Sequence, residues 1–268
     1  MKLSVLIPSK NEPYLERTVQ DVLTKSKSRV EILVYKDTGK ENGLRRGINE
    51  LAKSAKGEFL MKLDAHCMVD EDFDLKLLAA HQPNWVQVPR RKRLNAERWE
   101  VINDGREPVD YEAVIFSNLL ENGGRLQSKG FIWAAPWDEL TRERTHISLD
   151  DTPHFQGSCW FMAKEWFTKC GFMGTAYGGF AQEPEEIIFT TLKNGGEVKV
   201  NKTTWYAHLY KDKEARELFE FDGEDLLKGY AHSYNLWVRD NRKIFETLID
   251  SFPLMPTFPP NWKQILWN

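Results

Sequence analysis

Three separated segments carry residues whose types and spacing could do chemistry. The first is Leu63-Asp64-Ala65-His66, in which an acid and an imidazole flank a single residue. In extended backbone both side chains point to the same face. A carboxylate oxygen beside an imidazole nitrogen suits Mn²⁺ or another divalent ion that must also accept phosphate oxygens. A strand end with a solvated aspartate and a surface histidine would read the same way. The second segment is Trp205-Tyr206-Ala207-His208, where His208 follows a strand and a short polar turn; a lone histidine can equally be structural. The third is Gly178-Gly179-Phe180-Ala181-Gln182-Glu183-Pro184-Glu185-Glu186, a glycine entry into three carboxylates at a helix start. The helix dipole favours acids there for stability alone.

These residues need elements to position them. Residues 3–8 form a continuous apolar run, followed by a polar turn and by Leu15, Val19, Val22 and Leu23 on one helical face. That pattern predicts a buried strand feeding a helix. The unit recurs as a strand over 30–35, a helix over 44–55 and a strand over 58–63, which predicts βαβ units and a parallel sheet covered on both faces. Asp64 and His66 then lie at the carboxyl end of the third strand, where open α/β sheets place their ligands. Between 83 and 150 the period loosens, with a basic run Arg90-Arg91-Lys92-Arg93, and a helix is expected near 111–120. Further on the pattern predicts a strand over 155–162, helices over 164–170 and 183–193, and a strand over 197–200. Residues 214–248 read as helical with a break near Asp222-Gly223. The tail from Phe252 holds Pro253, Pro256, Pro259 and Pro260 and cannot be a long helix. It would either pack on the domain or cover a cleft with Trp262 and Trp267.

Composition bounds the function. The 268 residues are 41% apolar and 12% aromatic, enough for a packed core. With 37 basic against 40 acidic residues the net charge is −3, so no global field draws in nucleic acid or anionic lipid. Cys67, Cys159 and Cys170 are odd in number and without CxxC spacing, and read as reduced thiols rather than a disulfide framework. The first residues are too short an apolar run for a signal peptide and no membrane-spanning run follows, so the expectation is a cytoplasmic chain with no obligate protein partner. There is no internal repeat and no linker.

The joint spacing of the three segments resembles a known family. Gly43-Leu44-Arg45-Arg46-Gly47-Ile48, continuing through Ala55-Lys56-Gly57-Glu58-Phe59-Leu60-Met61-Lys62-Leu63-Asp64-Ala65-His66-Cys67, is similar to the donor-binding segment of polypeptide N-acetylgalactosaminyltransferases, whose metal motif is Asp-x-His. Glu183-Pro184-Glu185-Glu186-Ile187-Ile188-Phe189 to Gly195-Gly196 resembles that family's Glu-Asn-x-Glu helix and closing Gly-Gly. Twelve residues beyond Gly196 stands His208, at the position of the family's third metal ligand. Ile7-Pro8-Ser9-Lys10-Asn11-Glu12 resembles the first strand and nucleotide turn of family 2 glycosyltransferases. The likeness covers residues 3 to about 75 and 153–211.

The resemblance implies a GT-A α/β fold with a central, mostly parallel sheet flanked by helices. It divides the chain into a domain over 1–250, with a nucleotide-sugar half (1–80) and an acceptor half (81–250), and a Pro/Trp-rich tail (251–268). It implies a metal-dependent glycosyltransferase using a UDP-sugar and Mn²⁺ or Mg²⁺, with Asp64, His66 and His208 as metal ligands. Pro8, Ser9, Glu12 and Asp37 would hold uracil and ribose. Arg45 or Arg46 would contact phosphate or the nucleotide rim, unless these are ordinary exposed helix arginines. Gly157 and Ser158 would lie beside the donor sugar, where a missing Cβ allows close approach. Inverting relatives carry an aspartate base where this chain has Pro184; Glu183, Glu185 or Glu186 would have to act instead. Otherwise the reaction retains configuration, as in the Asp-x-His relatives. The acceptor is open among a glycan, a small molecule, a protein and a hydroxymethylated DNA base, the last resting on the Arg90–Arg93 run, Arg142, Arg144 and the ten tryptophans. A metal-dependent phosphohydrolase or nucleotidyltransferase, or a nucleotide-sugar-binding module without turnover, are the rival classes.

Overall fold

A computed structural model describes residues 2–39, 43–116, 132–210 and 223–267. The apolar opening forms β1 (Leu3–Ser9), buried along its whole length because helices cover both faces. Helix α1 (Leu15–Lys25) buries Thr18, Asp21 and Val22, and leaves Leu23 half exposed. Its two polar buried residues serve a neighbouring strand: Thr18 Oγ1 accepts from Cys67 N at 3.1 Å and Asp21 Oδ2 from Val69 N at 2.7 Å. The next unit is β2 (Glu31–Lys36), α2 (Leu44–Ser54) and β3 (Phe59–Leu63), with Ile48, Leu51 and Ala52 of α2 buried. After it come β4 (Cys67–Val69), α3 (Phe73–Ala79), β5 (Trp85–Asn95) and β6 (Glu100–Val101).

The middle of the chain departs from the sequence-based expectation. Residues 112–116 are not helical but form β7 (Glu112–Phe116), paired antiparallel with β8 (Ile132–Pro136). The β-branched pair Val114-Ile115 packs better in a strand, and the partner that completes it lies beyond any local window. The rest of that expected helix, residues 117–120, lies outside the described residues. Next are α4 (Asp138–Glu143), β9 (Leu149–Asp151), β10 (Cys159–Ala163) and α5 (Lys164–Cys170). The strand expected over 155–162 therefore starts four residues later, because Gln156, Gly157 and Ser158 leave the sheet to turn beside Asp64 and Glu183.

The last elements are α6 (Glu183–Lys193), β11 (Glu197–His208), α7 (Gly223–Ser233), a π-helical segment Tyr234–Asp240, α8 (Arg242–Asp250) and α9 (Trp262–Trp267). Residues 211–222, the start of the expected helical stretch, lie outside the described residues. The Gly-Gly between α6 and β11 has two separate reasons. Gly195 adopts φ +75°, which glycine alone enters without strain, while a Cβ on Gly196 would meet Asn84 O at 2.4 Å.

The central sheet runs β2-β1-β3-β10-β5-β11-β4. The first three strands are mutually parallel, as are β5 and β11, whereas β10 lies antiparallel between β3 and β5 and β4 antiparallel to β11. One face packs Leu6, Leu60, Trp160, Met162 and Val200 against α2, α6 and α8; the other packs Val5, Met61, Leu63 and Phe161 against α1 and α3. The tail joins the first of these cores: Phe252, Met255 and Trp262 are buried, and the Trp262 ring centroid is 5.9 Å from that of Phe245. Cys67 and Cys159 are buried and, with Cys170, are free thiols.

Candidate metal and donor site

β3 ends at Leu63, and the chain passes through Asp64 and Ala65 to His66 before β4 begins. His208, the last residue of β11, is the register partner of Cys67 across the antiparallel β4/β11 contact, and Leu209 N donates to His66 O at 3.2 Å. Sheet pairing thus carries a distant histidine onto the Asp-x-His turn. The ligand atoms of Asp64, His66 and His208 all lie within 4.8 Å of one another, a group of three found among the described residues.

The donor set fits a divalent cation. His66 Nε2 and His208 Nε2 are 3.0 Å apart, the spacing of adjacent ligands around an ion with bonds of about 2.1 Å. His208 Nε2 is 3.4 Å from Asp64 Oδ2. Burial and the neighbouring His66 push His208 down to about 4 against the pull of Asp64, so its ring is neutral at physiological pH. Its Nδ1 is buried with no hydrogen-bond partner. The other histidine is oriented from behind: His66 Nδ1 lies 2.9 Å from Glu12 Oε2, an arrangement that turns Nε2 and its lone pair toward the cluster. Glu12, expected at the nucleotide, therefore stands behind a metal-ligand candidate with its side chain almost fully covered.

Lys62, unremarked in the sequence, organises the acid. Its buried Nζ donates to Asp64 Oδ1 at 2.6 Å and to Gly157 O, and lies 3.6 Å from Glu183 Oε2. Burial raises the Asp64 carboxyl, yet Lys62 and the two histidines outweigh it and hold the group below the ordinary carboxylate range. One oxygen is thereby committed to Lys62 and the other faces the imidazoles. The 156–158 turn supports the same acid, since Ser158 O accepts from Asp64 N at 2.8 Å. Ser158 Oγ bonds Tyr206 Oη at 2.7 Å and Gln156 Oε1 at 3.1 Å. A Cβ on Gly157 would sit 3.0 Å from Glu183 Oε2.

The remaining donor-side candidates divide. Pro8, Ser9 and Asp37 meet at the carboxyl ends of β1 and β2, where Asp37 N donates to Ser9 O at 2.8 Å and the Asp37 carboxylate accepts from Gly39 N and Gly43 N. Arg45 turns away from solvent: it pairs with Glu186, donates to Ala181 O and lies over Tyr177. Its role is to tie α2 to the 174–186 segment. Arg46 is exposed and bonds Tyr35 Oη, 3.7 Å from Glu50.

The three carboxylates of α6 all point inward, each to a cation. Glu183 meets Lys62 and accepts from Trp160 Nε1 at 2.7 Å; Glu185 lies 3.1 Å from His154 Nε2; Glu186 pairs with Arg45. Burial raises the Glu183 and Glu186 carboxyls above their usual range despite those partners. His154, also missed in the sequence, is wholly covered between Glu185 and Glu112, the latter 3.1 Å from its Nδ1. Burial pushes its pKa down, but the two carboxylates prevail and lift it to about 9, while Arg91 and His154 bring Glu112 to about 2 against burial. Lys62 carried a weak signal, a charge inside a strand buried on both faces; His154, in Thr-Pro-His, carried none.

Among the described residues each arginine of the basic run is paired with a carboxylate, and Lys92 lies over the Trp205 ring. Within β5, Arg90 grips Asp110 with two bonds of 2.7 and 2.6 Å, Arg91 binds Glu112 at 2.7 Å, and Arg93 pairs with Asp104. Arg144 pairs with Asp150, and Arg142 lies near Glu139.

This arrangement, with an acid and two histidines at the carboxyl ends of an open α/β sheet, sits in the GT-A fold of glycosyltransferases. Among solved structures the chain superposes on GalNAc-T7 with UDP, GalNAc and Mn²⁺ with a TM-score of 0.68 at 18% identity, covering 94% of this chain and 51% of that one. It superposes on S. aureus TarS 1–349 in complex with UDP-GlcNAc with a TM-score of 0.52 at 15% identity, covering 94% and 73%. In sequence it is similar to a putative polypeptide N-acetylgalactosaminyltransferase 13 of Drosophila melanogaster, 23% identical over 217 residues, or 80% of this chain and 35% of the relative. It is 22% identical over 242 residues to a probable N-acetylgalactosaminyltransferase 7 of Caenorhabditis elegans, covering 88% and 38%. The chain thus spans little more than a third of the curated relatives it matches. No protein-family model matches it. Among the described residues no helix is long and apolar enough to cross a membrane.

Proposed function

We propose that this chain is a metal-dependent glycosyltransferase that moves a sugar from a UDP-sugar to an acceptor hydroxyl with retention of configuration. The convergence of Asp64, His66 and His208 at one end of a GT-A sheet carries the reading. Asp64 Oδ2 and the two Nε2 atoms would hold Mn²⁺ or Mg²⁺, with Lys62 fixing the acid and Glu12 fixing His66. A divalent cation there would neutralise the charge developing on the departing diphosphate. Pro8, Ser9 and Asp37 are the candidates for the nucleoside, and Gly157 for close approach to the donor sugar. The ligands in the two superposed structures, UDP with GalNAc and Mn²⁺ and UDP-GlcNAc, support this donor class.

Retention is supported by the inward pairing of Glu183, Glu185 and Glu186. An inverting reaction needs a carboxylate free to take the acceptor proton, and each of these is committed to a buried cation. In a retaining reaction the departing phosphate oxygens can take that proton on the same face.

Calorimetry with UDP, with and without Mn²⁺, tests the metal. Binding is expected to strengthen sharply with Mn²⁺ in the wild type and to lose that dependence in His208→Ala; metal-independent binding in both proteins would overturn the reading. Mass spectrometry of products tests the reaction: released UDP with a sugar-sized mass gain on an acceptor supports transfer. Pyrophosphate or UMP would assign hydrolysis or nucleotidyl transfer instead. The anomeric configuration of the product decides retention.

A further inference from the structure

A groove beside the metal cluster is assigned no part in the reading above. It is formed by the outer half of β5, the loop that follows β6 and Tyr210, and its walls include Arg91, Arg93, Ile102, Arg106, Val109 and Tyr210. Its enclosed volume is about 110 Å³ and it opens widely to solvent, a shallow site that would take one face of a sugar ring rather than swallow it. Its position follows from register. Arg91 and Arg93 are the parallel partners of Tyr206 and His208, and side chains of paired residues stand on the same face of a sheet. The groove and the metal cluster are therefore neighbours on one face. Tyr210 joins them, its ring centroid 5.3 Å from that of His208 and 5.7 Å from the Arg91 guanidinium.

The chemistry of the walls selects among acceptors. Arg91 is matched by Glu112, and Arg93 and Arg106 share Asp104, with Arg106 Nε 2.8 Å from Asp104 Oδ2. Lys92 and Glu107, the other charges on the lining, offset one another. The surplus is a single positive charge. A nucleic-acid track gains affinity by neutralising several phosphates with unpaired cations, and among the described residues this groove offers no run of them. What remains is a half-exposed tyrosine ring, an apolar strip from Ile102 and Val109, and the exposed Arg106 guanidinium held in place by Asp104. A pyranose presents the complement: a C–H face that packs on an aromatic ring, and adjacent hydroxyls that take paired hydrogen bonds.

We propose that this groove is the acceptor subsite and that the acceptor is a neutral sugar, free or as the end of a glycan. The assignment rests on the glycosyltransferase reading for the word acceptor, while the groove's affinity for saccharides can be measured without it. The protein, with and without UDP and Mn²⁺, is screened by saturation-transfer NMR against methyl glycosides of glucose, galactose, mannose and N-acetylglucosamine and against short neutral oligosaccharides. A hydroxymethylcytosine oligonucleotide is the charged competitor.

At least one glycoside should bind, at least tenfold more weakly in Tyr210→Ala and more weakly in Arg106→Gln, with Tyr210→Phe close to wild type and the oligonucleotide not competing. Preference for oligosaccharides over methyl glycosides would assign a glycan end; the reverse would assign a free sugar. Three outcomes overturn the inference: no saccharide binding by a protein that still binds UDP with Mn²⁺, saccharide binding indifferent to both Tyr210→Ala and Arg106→Gln, or oligonucleotide binding lost in those variants. Failure of UDP and Mn²⁺ to bind, with saccharide binding intact, would sink the transferase reading and leave the groove a sugar site.

Discussion

His154 gives the structure a stability that depends on pH in a direction opposite to ordinary acid denaturation. Its ring is enclosed by Glu112 from β7 and Glu185 from α6, at 3.1 Å each, and its pKa is lifted from 6.5 to about 9. A group whose folded pKa lies above its unfolded one contributes stability that is complete below the unfolded value and is lost as pH rises through the folded value. That rise, at about 1.4 kcal/mol for each tenfold change in proton affinity, is worth about 3–4 kcal/mol, a large fraction of the ~5–15 kcal/mol typical of a domain. Urea unfolding at pH 6, 7.5 and 9.5 should show the wild type losing about 3 kcal/mol across that range. His154→Gln should start lower and lose much less, so that the two proteins approach one another at high pH. A difference between them that stays constant from pH 6 to 9.5 would show that His154 is not held as a charged bridge.

Three other substitutions separate support from recognition. Arg45→Met leaves Glu186 buried without its cation and should cost about 3–5 kcal/mol in urea unfolding, while calorimetric affinity of the folded variant for UDP with Mn²⁺ stays unchanged. Glu12→Gln removes the carboxylate behind His66 and should weaken Mn²⁺ binding, read by titration calorimetry, about 10–100-fold with little change in melting temperature. Gly196→Ala drives a methyl group toward Asn84 O and Trp166 and should destabilise by about 1–3 kcal/mol in thermal melts, whereas the metal affinity of the folded fraction is untouched.

The first third of the fold was legible because β1 is buried along its whole length and reads as an unbroken apolar run, and because α2 keeps Leu44, Ile48 and Leu51 on one stripe. The strand at 112–116 was not, since its pairing partner begins at Ile132 and leaves no local trace. The convergence of Asp64, His66 and His208 was legible through joint spacing, which the register of His208 against Cys67 explains. Sequence could not show that Glu12 lies behind His66 or that Arg45 is internal, because both depend on which face of an element meets another. It also presented Arg90–Arg93 as a charge patch, whereas Asp110, Glu112 and Asp104 each take one of its arginines and Lys92 lies over the Trp205 ring.

The place of β10 governs how the chain can be assembled during synthesis. β3 is complete at residue 63 but its inner neighbour is residues 159–163, and that same strand is the only bridge from β3 to β5 in the described sheet. Until about a hundred further residues have emerged, the nucleotide half would present a bare, apolar strand margin able to pair with another nascent chain. A truncated product ending before residue 159 should therefore be recovered as insoluble material, and closure of the sheet should be the slow, non-local step of folding.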